Sequence, residues 1–491
     1  MMVSDGFGPA SQTYGRSYWQ FATNRTFNTQ TSLDQILIGA SRTRSSDSLV
    51  TDSAAGATAF SCALKTYNAA IGVDPEGTPC GTVLESAKAQ GMLTGLVVTS
   101  RITHATPASF SAHVVHRDME SDIALHQMGD YALGRQVDLM FGGGRCFFLP
   151  NTTEGSCRTD NRDLLAESVD PKYGWNKAIL TRNELNETHL DAGVQLPALG
   201  LFHLDHMNFN LDRMNDKKIA AEEPSLNMMV DIALKTLKKA GFKNRSGFFL
   251  MIEGSRIGTV VDVVYMAAHN NDPAAHVHEI LQYHEVVQTV RNFVRDNPDT
   301  VMISTSDHET GGFTLGLQPD PHTYPDYMWR PEAIARSKRS TEVLMHELLS
   351  FTGTEKERRT FVKRVILEEG LGVTDATEEE IAFIVSPESP PVEVLQHLGH
   401  VLSKRANLGW TTQGHTGVDV NLYAEGSQAD RLRGNHENTD IGDFMVSFLD
   451  LNLEAITAKL NANLGWFKKT RDGFAAAVSK RDSSQHEKTG R

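Results

Sequence analysis

Five short apolar runs punctuate this chain, and each ends on a polar residue beside glycine or a loop. They are MMVSD (1–5), MLTGLVVTS (92–100), VDLMFGGG (137–144), FFLMIEG (248–254) and VMISTSDHETGG (301–312). Each run has strand length. Segments of helical pattern stand between them, at Thr82–Gln90, Glu120–Leu133 and Leu226–Ala240. Strands buried on both faces and alternating with helices specify a mostly parallel sheet. The expected fold class is therefore α/β: a three-layer, doubly wound sheet with helices on both faces. In such sheets ligands bind beyond the carboxyl ends of the strands. Asp5, Glu253 and the Asp307-His308 pair stand at those ends. One strand ending in Asp is an ordinary turn signal. Three strands ending in metal-type ligands are a functional one.

The 491 residues are 40% hydrophobic, enough for a large core, and carry a net charge of −14. That acidity argues against a nucleic-acid partner, which selects a basic face. It does not argue against phosphate chemistry, because carboxylates hold metal ions and metal ions hold phosphate. No apolar run reaches the roughly 18 residues of a membrane helix, and no secretory leader is evident. Residues 320–405 are charged and helical in pattern, at Arg330–Leu349, Glu355–Glu369 and Thr377–Val385, and read as a helical insertion without chemistry of its own. Residues 1–467 then read as one domain with that insertion, and 468–491 as a charged, disordered tail.

Four cysteines occur. Cys146 and Cys157 are close enough in sequence for a local disulfide, and four reduced thiols are the equal alternative. N-x-S/T triplets at Asn24, Asn151, Asn186 and Asn244 hint weakly at a secretory route.

Among the residues that could carry chemistry, Ser53 stands in TDSAAGATA (51–59). It reads either as a helix cap or as a nucleophile at a helix N-terminus, where backbone N–H groups favour an anionic adduct. Asp307 and His308 can both face one ion only if the strand stops and the chain turns there. Asp/Glu oxygens suit Mg²⁺ and mixed Asp/His sets suit Zn²⁺. His269 and His415 are further candidates. His276, His278 and His284 follow a helix start at Asp272-Pro273 and are expected on a solvated face. The Gly142–Gly144 run lacks nucleotide-loop spacing and reads as a strand-to-loop turn.

The chain resembles the alkaline phosphatases, most closely the fungal vacuolar repressible type, from residue 1 to about 450. Eight ordered motifs carry the resemblance: SDGFG (4–8), TDSAAGATA (51–59), THATPA (103–108), HRD (116–118), IEGSRI (252–257), HNNDP (269–273), SDHETGG (306–312) and GHTGVDV (414–420). The resemblance implies metal-dependent hydrolysis of phosphate monoesters, of broad range, through a phosphoserine on Ser53. It implies two Zn²⁺ and one Mg²⁺. Asp307, His308 and Asp5 go to the zinc beside Ser53, and His269 and His415 to the second. Asp5, Thr106 and Glu253 go to magnesium, with His104 beside it. Arg117 clamps the phosphate, which its planar fork suits. The resemblance further implies a homodimer. It also implies a vacuolar location, in the lumen or at the membrane, with membrane association through an N-terminal anchor that would precede Met1.

One departure stands out. The family pattern places an Asp four residues before His269, where this chain has Tyr265. Residues 258–265 look inserted. Asp262 lies two helical turns from His269, about 10 Å along an axis, which is a poor geometry for one shared ion. The alternatives are a metal- or phosphate-binding protein of impaired catalysis, or a related phosphodiesterase. A sulfatase is not among them, since Ser53-Ala54-Ala55 lacks the C/S-x-P-x-R context.

Overall fold

The computed structural model describes residues 1–189, 193–244, 246–258, 267–468 and 470–475. Nine strands form one sheet: β1 (Met2–Ser4), β2 (Leu37–Arg42), β3 (Leu93–Arg101), β4 (Leu139–Gly143), β5 (Ala198–Leu201), β6 (Phe248–Gly254), β7 (Val301–Thr305), β10 (Val420–Gly426) and β11 (Gly434–Glu437). β8 (Glu309–Thr310) and β9 (His415–Thr416) form a separate small pair. The order across the large sheet is β11-β2-β10-β7-β1-β6-β3-β4-β5. β10 is antiparallel to both its neighbours and every other pairing is parallel, so eight strands run one way.

Successive strand residues enter opposite cores, as a period of two requires. Met2, Val97 and Ile252 pack with helices Pro9–Ala22, Leu226–Asn244 and Pro273–Arg295. Val3, Leu96, Val98 and Met251 pack with helices Ser53–Cys62, Val83–Ala89 and Asn438–Leu449. These are the two outer layers. The insertion supplies helices Thr341–Ser350, Glu355–Phe361, Glu378–Val385 and Pro391–Ala406, whose apolar faces join the first core.

One expectation changes. His276 and His284 are buried, not on a solvated face. Helix Pro273–Arg295 lies beneath helix Pro9–Ala22, so its imidazoles find protein partners: His276 meets Ser11 Oγ at 2.9 Å and His284 meets Gln12 Oε1 at 3.1 Å. Gly15 permits that approach, since a Cβ there would stand 2.3 Å from Ile280. His278 is half-buried, its ring bonded to Ala274 O. Of the two readings of the cysteines, the local disulfide is the one the structure has. Cys146 is bonded to Cys157, and Cys62 to Cys80, a pair separated by 18 residues that spacing alone did not suggest. The helix Ser53–Cys62 ends beside the loop of Cys80, where Cys62 Sγ also faces Cys80 O.

At the C-terminus, Phe467 is buried with Ala70 and Val73. Residues 470–475 are helical, and Phe474 stacks on His116 at 5.1 Å.

Candidate active site

Registry aligns the three acids. Val3 pairs with Glu253 on one side and with Thr305 on the other. Asp5, Glu253 and Asp307 therefore emerge together at the carboxyl edge of the sheet. β7 stops at Thr305 and the chain turns, so Asp307 and His308 both face Asp5. Two groups result, Asp5–Asp307–His308 and Asp5–His104–Glu253, in each of which the ligand atoms lie within 4.8 Å of one another. Thr106, on the helix Ala105–Ser111, stands beside Glu253 and offsets part of the rise that burial imposes on that carboxyl.

Ser53 begins the helix Ser53–Cys62. Asp52 is its N-cap, with Oδ1 accepting from Ala55 N at 3.0 Å. The small residues of this helix have a reason. A Cβ on Gly56 would sit 3.1 Å from Asp307 Cβ and from Asp307 O, so the helix presses backbone-first against the acid. Ser53 Oγ stands 2.9 Å from His308 Nε2. His308 Nε2 is in turn 3.3 Å from Asp307 Oδ2 and 3.6 Å from Asp5 Oδ1.

β9 pairs with β8, Thr310 opposite His415, which stacks the His415 ring on His308 at 3.4 Å. His415 Nε2 meets His269 Nε2 at 3.2 Å, and its Nδ1 donates to Thr51 O at 2.7 Å. His269 Nδ1 donates to Gln413 O. Arg117 donates to Asp52 Oδ2 at 2.9 Å and reaches His104 Nε2 at 3.0 Å. Ser53, Arg117, Asp5, His104, Thr106, Glu253, His269, Asp307, His308 and His415 thus all meet in one place. Tyr265 and Asp262 lie outside the described residues. No acid joins His269 and His415 in a group of three among the described residues.

Both oxygens of Asp5, Glu253 Oε1 and Asp307 Oδ2 are buried without a hydrogen-bond partner. Burying a charged oxygen without a partner is costly, so the environment pushes the acids toward neutrality. Burial lifts Asp5, with Asp307 and Glu253 beside it adding to the effect. Burial brings Glu253 to about 7 and Asp307 to about 6. The imidazoles move the other way and stay uncharged. Burial lowers His308, His269 and His104 well below the usual range, and His415 to about 4. Neutral imidazoles facing unpartnered carboxylates are a donor set that fits divalent cations.

Sequence reasoning missed the holders of these groups. Asp52, a common N-cap residue type with no further signal in the sequence, also orients Arg117. Ser100 Oγ donates to Glu253 Oε2 at 3.1 Å. Behind His104, Arg101 bonds Glu120 and Asp205 and faces the His206 ring. The only sequence signal for that network is the HLDH run at 203–206.

An alkaline phosphatase family profile matches residues 1–451. The chain belongs to the alkaline phosphatase family. It is 44% identical over 509 residues to the repressible alkaline phosphatase of Saccharomyces cerevisiae, covering 99% of this chain and 87% of that protein. It is 44% identical over 461 residues to the alkaline phosphatase of Schizosaccharomyces pombe, covering 94% of this chain and 82% of that protein. The Thermus thermophilus alkaline phosphatase structure is similar at a TM-score of 0.75 and 27% identity, with 94% of each chain covered. The chain is a phosphatase of phosphate monoesters, and alkaline phosphatases are metal-dependent.

Proposed function

We propose that Ser53 is the nucleophile and that its site works with two Zn²⁺ and one Mg²⁺. Asp307, His308 and Asp5 would hold the zinc next to Ser53, and His269 and His415 the second. Asp5, Thr106 and Glu253 would hold the magnesium, with His104 beside it. The carrying observation is the convergence of Ser53 Oγ, His308 Nε2 and the unpartnered oxygens of Asp5 and Asp307. A structural relative, a variant of the TAB5 alkaline phosphatase at 25% identity and a TM-score of 0.60, has been solved with Mg bound, which supports the magnesium assignment.

When bound, the cations supply Lewis acidity that lowers the serine pKa and offsets charge on the leaving oxygen. The residues do the rest. Arg117 binds two phosphate oxygens through its planar fork, held in place by Asp52. Ser53 Oγ, at the N-terminus of its helix, forms the new P–O bond while the ester P–O bond breaks in line with it. Ser53 gives up its hydroxyl proton as the new bond forms, and the leaving oxygen takes up one proton and departs as the alcohol. Water then attacks the phosphoserine and releases inorganic phosphate and free Ser53. Ser53→Ala compared with the parent on p-nitrophenyl phosphate tests this: the variant should fold, keep its metal and lose turnover. Turnover on bis-p-nitrophenyl phosphate exceeding that on the monoester would favour a diesterase.

The same proposal covers broad monoester range without nucleic-acid partners, and a homodimer. It also covers glycosylation and a vacuolar location, luminal or at the membrane. Two disulfides support an oxidising route. No helix among the described residues is long and apolar enough to cross a membrane. Attachment through a segment ahead of Met1 rests on resemblance alone.

A second reading is a phosphatase that needs added zinc. It is favoured by the His269–His415 pair, which no acid completes among the described residues. A zinc titration of activity separates the two readings: saturation at stoichiometric zinc supports the first, and dependence on excess zinc the second.

A further inference from the structure

His269 sits in a tight turn. Asn271 N donates to Ala268 O at 3.1 Å, Asp272 N donates to Ala267 O at 2.7 Å, and Asn271 takes φ +52°. Asn tolerates that left-handed conformation better than most residues. Asp272 closes the turn from the far side. Its Oδ1 caps the helix Pro273–Arg295 through Ala274 N and Ala275 N, and its Oδ2 accepts from Thr341 N of the insertion at 2.7 Å.

The Asn271 side chain looks the other way. With the amide turned so that its nitrogen faces the two carbonyls, as the donors and acceptors around it require, that nitrogen donates to Thr412 O at 3.1 Å and to Ala268 O at 2.9 Å, and its oxygen accepts from His400 Nε2 at 3.0 Å. Three pieces of chain meet at this one amide. Ala268 immediately precedes His269, Thr412 lies three residues before His415, and His400 belongs to the helix Pro391–Ala406 of the insertion. That helix touches the turn backbone-first: a Cβ on Gly399 would stand 2.4 Å from Asn271 O and 2.8 Å from Asn270 O. The same helix also reaches the strip leading to His415, where Trp410 Nε1 donates to Ser403 Oγ at 2.9 Å.

We propose that Asn271, seated on Gly399, is a positioning residue that locks the His269 turn to the His415 loop, so that the helical insertion sets the geometry of the His269–His415 pair. This rests on reading that pair as metal ligands. A residue that merely stabilised its own turn would act on residues 267–272 alone. Asn271 also holds residue 412, so its loss should loosen a segment 141 residues away in sequence (412 − 271).

The full chain is compared with Asn271→Asp, which keeps the side-chain shape and removes both donors. Asn271→Gly keeps the turn conformation if the first variant fails to fold. Hydrogen exchange is read on peptides spanning 267–275 and 408–417, and turnover of p-nitrophenyl phosphate is read against zinc concentration. Exchange should accelerate about tenfold in both peptides, as expected for one buried hydrogen bond lost. The zinc needed for half-maximal turnover should rise about 10- to 100-fold, the usual effect of removing an outer partner of a ligand, with kcat restored at excess zinc. Acceleration confined to 267–275, or an unchanged zinc requirement, overturns the proposal. A parent chain that hydrolyses no monoester at any zinc concentration would instead overturn the functional reading, and the exchange data alone would then decide this one.

Discussion

Ser53 Oγ and His308 Nε2 stand 2.9 Å apart, although 255 residues separate them in sequence. The sheet makes the meeting. β7 delivers His308 to its carboxyl edge, and a helix too small-sided to stand off from Asp307 delivers Ser53. The hydroxyl and the imidazole therefore share one small volume with two carboxylates. His308→Ala should lose both turnover, by about a thousandfold or more, and the metal beside Ser53. Ser53→Ala should lose turnover and keep the metal. Elemental analysis of the two purified variants checks the contrast.

Arg117 holds its guanidinium between Asp52 and His104. Lysine cannot reproduce that fork. Arg117→Lys should raise KM and weaken inhibition by inorganic phosphate, each by about tenfold or more, and leave the melting temperature little changed. Steady-state kinetics with phosphate as competitor checks this.

Removing metal leaves four buried carboxylate oxygens of Asp5, Glu253 and Asp307 without partners. Chelation should abolish turnover and lower thermal stability together. Ions bound at a thousand times their Kd stabilise by about 4 kcal/mol. Calorimetry before and after chelation, then after adding back Zn²⁺ and Mg²⁺, should show both losses reversed.

Below the Arg117 loop lies a buried pair, His113 Nε2 and Glu85 Oε1 at 2.8 Å, with Tyr131 Oη donating to the same oxygen. Burial, the largest single effect, would raise Glu85, but His113, Tyr131 and the Thr82 backbone together outweigh it and the carboxyl titrates below its ordinary value. Burial, the largest single effect, would lower His113, but Glu85 and the Gly72 carbonyl together outweigh it and the imidazole titrates above its ordinary value. The Glu85 contribution is present above its unfolded value of 4.5 and is lost as pH falls through the lower folded one. The His113 contribution is present below 6.5 and is lost as pH rises through the higher folded one. Glu85→Gln should therefore destabilise most between these two values, by roughly 3 kcal/mol, and less at alkaline pH. Melting temperature against pH for variant and parent checks the shape.

Much of the scaffold was legible because its strands are buried on both faces. Runs such as FFLMIEG announce themselves and end on the acid that matters, Glu253. The sheet's margins were not legible. Gly434–Glu437 is a polar edge strand paired on one side only, and Leu37–Arg42 is half-exposed and carries Gly39. Gly434–Glu437 carries no apolar signal, and the apolar Leu37-Ile38 pair is interrupted at once by Gly39. The site residues could be named from motifs, but their holders could not. Asp52 looks like any N-cap until Arg117 is seen on its other oxygen. Asn271 looks like any turn residue until Thr412 and His400 come to meet it. The Cys62–Cys80 bond was hidden for the same reason, since only the packed helix brings its ends together.

The most direct measurement is to quench turnover of p-nitrophenyl phosphate with acid and map phosphate on the chain by peptide mass spectrometry. A phosphate on the peptide containing Ser53, absent from Ser53→Ala and from the metal-free protein, is the predicted result. Continued turnover with no phosphate on Ser53, or with the label on another residue, would contradict the account.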